Sequence, residues 1–83
     1  MAAKVVHRRE LGEAAEALGP LLRDATARVR SAAVRAVGLV AEWDLAADVD
    51  RLARTDRDKT VRATAGRAMA DLERRLDRRF TEQ

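Results

Sequence analysis

Arg30 and Arg62 are the side chains of this 83-residue chain best equipped for chemistry, and each follows an aspartate, Asp24 or Asp56, by six positions. A guanidinium is a planar fork of donors that matches a phosphate or a carboxylate, so both could grip a phosphate or an acidic partner. Arg28, Arg35 and Arg67 lie off the apolar stripes of their segments and are candidates for contacts with a partner. A further cluster, Arg74, Arg75, Arg78 and Arg79, reads first as a charged helix surface with cations placed favourably near a helix C-terminus. An acidic-partner or nucleic-acid site is its alternative reading.

Covalent and metal chemistry find less support. His7 is the single histidine and the chain has no cysteine, so a thiolate nucleophile is excluded and a metal site lacks its usual ligands. Thr26, Ser31, Thr55, Thr60 and Thr64 supply hydroxyls, but no histidine base is placed near any of them. Asp44, Asp48 and Asp50 do not follow the alternate-position pattern of a calcium loop with its central glycine and terminal glutamate. Phosphate-cradling glycine motifs are missing. The expectation is a protein without catalysis, cofactor, metal or small-molecule substrate.

The elements that must position these residues are helical. Apolar residues make up 47% of the chain, but alanine supplies much of that share, with one Trp (Trp43) and one Phe (Phe80). Alanine favours helices and close helix contacts, yet contributes little beside the roughly 1.5–3 kcal/mol of a buried Leu or Val. A single small, strongly helical domain of marginal self-sufficiency follows. The net charge of +3 is carried by Arg, since Lys4 and Lys59 are the only lysines; that balance alone is a weak pointer to nucleic acid. No window approaches a membrane span and the N-terminal residues lack the apolar run of a secretion signal, so a cytoplasmic location is expected.

Periodicity places four helices. Leu11, Ala14, Ala15, Leu18, Leu21 and Leu22 share one face of a first helix over about 7–23, which Gly19 and Pro20 should kink or end. Thr26 is placed to cap a second helix over about 27–41, with Val29, Ala33, Ala36, Val37 and Val40 as its buried stripe. Asp44 can cap a short third helix over about 45–54, burying Leu45, Val49, Leu52 and Ala53. A fourth, over about 59–80, carries Val61, Ala65, Ala68, Met69, Leu72, Leu76 and Phe80.

The strongest signal is an internal echo: residues 29–37 and 61–69 are near-copies, 32 residues apart. Self-similarity at such a period marks a helical repeat array. The duplicated pattern, Asp24, Val29, Arg30, Ala33, Ala36 and Gly38, then Asp56, Val61, Arg62, Ala65, Ala68 and Ala70, resembles the HEAT repeat family, in particular short bacterial HEAT-like repeats of the phycobilisome-lyase-like type. Gly66 departs from it, standing where the first copy has Val34, and the first helix of each copy aligns only after a one-residue gap.

The resemblance implies an all-α fold of two HEAT-like helical hairpins, about residues 7–41 and 44–80, forming a short right-handed α-solenoid. It implies that Asp24, Arg30, Asp56 and Arg62 form a polar ladder between repeats. It also puts the second helix of each hairpin, with Arg28, Arg35 and Arg67, on a concave partner-binding side. The lyase likeness lies in the scaffold and brings no acid–base constellation. About three repeats are normally needed for a stable array, so the exposed faces of two are expected to be covered by the flanking segments, a second copy or a partner. Trp43 is read as a packing plug or a partner hot spot, and Leu72, Leu76 and Phe80 as a terminal apolar stripe open to a partner. A protein-interaction or assembly module, self-association included, is the expected function; the alternative is a nucleic-acid-binding accessory using the Arg-rich faces. Single-strand binders interleave aromatics with basic residues, and that interleaving is lacking.

Overall fold

The computed structural model describes residues 15–77, and all regular structure among them is helical. Helix α1 covers residues 15–21, α2 runs Ala27–Val40, a single 3-10 turn occupies Trp43–Leu45, α3 runs Ala46–Thr55 and α4 runs Lys59–Arg75. Helix α4 packs along both α2 and α3. Leu22, Val34, Val37, Val49, Val61 and Leu72 are the large side chains fully removed from water, one or two from each segment, so a single core joins all the helices. Each such side chain contributes about 1.5–3 kcal/mol of favourable burial, and Leu45, Leu52 and Met69 extend the same core.

Local chemistry explains the boundaries. Pro20 lies in the last turn of α1, which ends one residue later, as Gly19 and Pro20 lead one to expect; the N–H of Leu22 closes that turn onto the Leu18 carbonyl at 3.1 Å. Thr26 occupies the N-cap position of α2, as expected, but makes no side-chain capping bond; Asp58 caps α4 fully, its carboxylate accepting from the Thr60 and Val61 amides. Ala41 closes α2 in the left-handed conformation (φ 53°), with its N–H on the Gly38 carbonyl and that of Glu42 on the Val37 carbonyl. That paired reversal is a Schellman motif built on a residue other than glycine. The third helix begins after the Trp43–Leu45 turn, with no side-chain cap from Asp44.

Three expectations are corrected. The fourth helix ends at Arg75, not near residue 80, because Asp77 takes a left-handed conformation (φ 50°) that an aspartate tolerates. In α2 the buried arc is rotated: Arg30, Ser31, Ala33, Val34, Val37 and Gly38 face inward, whereas Val29 and Ala36 are half-buried and Val40 is 56% exposed. Helix α4 covers the arc centred on Val34, and that contact decides which side of α2 is buried. Leu21, placed on the inner face of the first helix, is 40% exposed.

Candidate functional site

Two features organise the polar chemistry, a buried ion pair and an open groove. The ion pair joins the two connections that precede α2 and α4. Arg30 donates from Nε to Asp56 Oδ2 at 2.7 Å and from Nη2 to Asp56 Oδ1 at 3.0 Å, a bidentate fork, while Nη1 donates to the Asp24 and Ala25 carbonyls at 2.7 and 3.1 Å. Both side chains are almost fully buried. The hydrogen bond to Arg30 holds the Asp56 carboxyl below its ordinary range, against a desolvation that pushes it up; the same bond raises Arg30. A buried ion pair needs its remaining polar atoms satisfied, and no buried side-chain nitrogen or oxygen of the described residues lacks a partner.

The second copy reproduces this geometry with one part left open. Asp24 Oδ1 accepts the Thr26 amide and Asp56 Oδ1 accepts the Asp58 amide, both at 2.8 Å. Arg62 Nη1 donates to the Asp56 carbonyl at 2.6 Å, just as Arg30 Nη1 donates to that of Asp24. Among the described residues no carboxylate meets Arg62, and no guanidinium meets Asp24. Six-residue spacing thus serves the turn carbonyl of its own copy, and the carboxylate bridge crosses from Arg30 to Asp56.

The groove lies between α2 and α4, about 430 Å³ in volume, lined by Arg35, Gly38, Leu39, Thr64, Arg67, Ala68, Asp71 and Arg75. The helices approach closely at its floor: a Cβ built on Gly38 would stand 3.7 Å from that of Ala68. Arg75 Nη1 donates to the Gly38 and Leu39 carbonyls at 2.8 and 3.1 Å, so a cation sits at the negative end of the α2 dipole. Asp71 is paired with Arg74. Arg35 and Arg67 are exposed and engage no acceptor among the described residues, and Leu39 beside them is 75% exposed.

The structure thus brings Arg35 and Arg67 together across one groove. Arg28 lines an adjoining hollow with Ala27, Ser31, Arg35, Asp58 and Thr60. Trp43 is half-buried against the core at the junction of α2 and α3 and does not line the groove. Leu72 is fully buried and serves the core, so it offers a partner no surface; Leu76 is partly buried against that core. Phe80, Arg78, Arg79 and His7 lie outside the described residues. Leu39 and Arg75 were missed as groove residues: Leu39 is one apolar residue among several until the arc of α2 is known, and Arg75 looked like a cation for its own helix end although it caps another.

Among the described residues no group of three or more His, Cys, Asp or Glu side chains is arranged to hold a metal, and no helix is long and apolar enough to cross a membrane. In comparisons with known proteins, no family model, curated protein or solved structure matches the chain.

Proposed function

We propose that this chain is a non-catalytic HEAT-like repeat module that works through protein contacts, with the α2/α4 groove as a docking surface for an acidic segment of a partner. In this reading α1 with α2 and α3 with α4 are two hairpins of a short α-solenoid, and α2 and α4 are the inner pair. The matching turns at Asp24 and Asp56, each tied to the arginine six residues on, support the repeat reading.

The observation that carries the functional reading is the pair of exposed guanidiniums of Arg35 and Arg67, which meet no acceptor among the described residues, flanking the exposed Leu39. Carboxylates of a partner would satisfy the arginines, and an apolar side chain would cover the leucine; arginine is a favoured residue at such contacts. Fluorescence anisotropy with a labelled peptide rich in Glu, Asp and Leu tests this. The peptide is expected to bind, and Arg35→Glu with Arg67→Glu to abolish binding without loss of helicity. A single-stranded oligonucleotide that binds more tightly than the peptide, with affinity falling steeply as salt rises, would replace this reading with nucleic-acid binding.

A further inference from the structure

We propose that Arg62 and Asp24 are the two halves of an unfilled ion-pair rung, completed when a second copy of the chain docks head to tail, with Arg62 of one copy on Asp24 of the next. The internal rung supplies the pattern. Arg30 is anchored through Nη1 to the turn carbonyl of its own copy, leaving Nε and Nη2 as a parallel fork for the Asp56 carboxylate. Arg62 Nη1 likewise donates to the Asp56 carbonyl, and its Nε and Nη2 meet no carboxylate of the described residues. Asp24 holds its turn through Oδ1, as Asp56 does; its charge acts on Arg30, but no guanidinium of the described residues hydrogen-bonds its Oδ2.

Burial around the two halves agrees with this. Arg30, Ser31, Val34 and Gly38 are buried on α2, while the positions 32 residues on, Arg62, Ala63, Gly66 and Ala70, are all exposed. In the opposite sense, Val61 and Leu72 are fully buried on α4, whereas their counterparts Val29 and Val40 are half-buried and 56% exposed. One copy therefore presents the trailing face of the internal interface and the leading face of the same interface, with opposite charges at matched positions. Such surfaces are complementary to each other and not to themselves, so the contact is heterologous and builds rings or open stacks instead of a closed two-fold dimer. Arg35 and Arg67 correspond to each other at the same 32-residue step, so the joint would set Arg67 of one copy beside Arg35 of the next. The internal groove of each copy is separate from that joint, and the inference goes beyond its proposed docking function.

Sedimentation equilibrium of the full chain over a range of concentrations tests it. The wild type is expected to gain mass beyond the dimer as concentration rises. Arg62→Asp and Asp24→Arg each set like charges opposite one another and should weaken association by about tenfold or more. Mixed in equal amounts, they restore opposite charges at every contact and should recover the wild-type mass. Gly66→Glu is the second probe: nothing lies within 4 Å of a Cβ at this position, so the fold is kept while the approaching copy is blocked. Should Asp24→Arg unfold the chain by losing the Thr26 amide contact, Arg62→Asp and Gly66→Glu decide. A wild type that remains monomeric up to about millimolar concentration, a mass that stops at the dimer, folded variants that associate as the wild type does, or a folded mixture that stays monomeric would each overturn the proposal. Arg62→Asp should bind the acidic peptide as the wild type does, since Arg62 does not line the internal groove, which separates this result from the outcome for the groove.

Discussion

Asp56 is held by Arg30 from 26 residues away, through two parallel N–H···O bonds of 2.7 and 3.0 Å between side chains that are nearly buried. The same carboxylate accepts the Asp58 amide, which sets the turn from which α4 starts. One side chain therefore couples the placement of α2 to the start of α4. Asp56→Asn keeps an oxygen for the Asp58 amide but leaves the Arg30 charge buried without its counter-ion. Removing one partner leaves the other charge without its counter-ion, which destabilises the fold. Urea unfolding should show a lower midpoint for Asp56→Asn, and Arg30→Met added to it should recover part of the loss.

The pair also sets an acid limb of stability. Asp56 titrates in the folded chain below its ordinary value of 3.8. The unfolded chain therefore binds the proton first as pH falls, and stability rises with pH wherever the unfolded state holds more protons. The contribution is complete above the ordinary carboxylate range and is lost as pH falls through the folded value. Thermal melts between about pH 2 and pH 6 should show the wild type losing stability more steeply at the acid end than Asp56→Asn.

The number of helices and the place of each turn could be read from periodicity and turn chemistry, because the carboxylates of Asp24, Asp56 and Asp58 also accept backbone amides two or three residues on. The buried arc of α2 could not. The 32-residue echo makes α2 look like α4, and transferring the α4 stripe selects Val29, Ala36 and Val40; yet α2 buries the side toward α4, and its corresponding opposite side remains open. Arg35 and Arg67 were legible as cations off the apolar stripe. Their meeting with Leu39 and Arg75 depends on how α2 lies along α4, which is a tertiary relation with no local signature.

Ala41 carries the αL position of the α2 terminus at φ 53°. The left-handed conformation costs an L-residue with a Cβ roughly 1–2 kcal/mol, and glycine occupies it freely. Ala41→Gly is therefore expected to stabilise the chain by about 0.5–1 kcal/mol after the entropy that glycine adds to the unfolded state. Denaturant unfolding with an unchanged m-value would check it; a loss of stability would show that the Schellman reversal does not govern this terminus.

Gly66 lies in the interior of α4, exposed, with no atom within 4 Å of the point where a Cβ would stand. Glycine there weakens the helix by about 1 kcal/mol relative to alanine, since it surrenders more backbone entropy and packs against nothing within the chain. Gly66→Ala should raise the melting temperature by about 4–8 °C in a domain of this size. The measurement should be made on dilute protein, where self-association does not add to the midpoint. Equal stability of the two chains under those conditions would mean that α4 is frayed at this turn when the chain stands alone, and that packing on its outer face is what orders it.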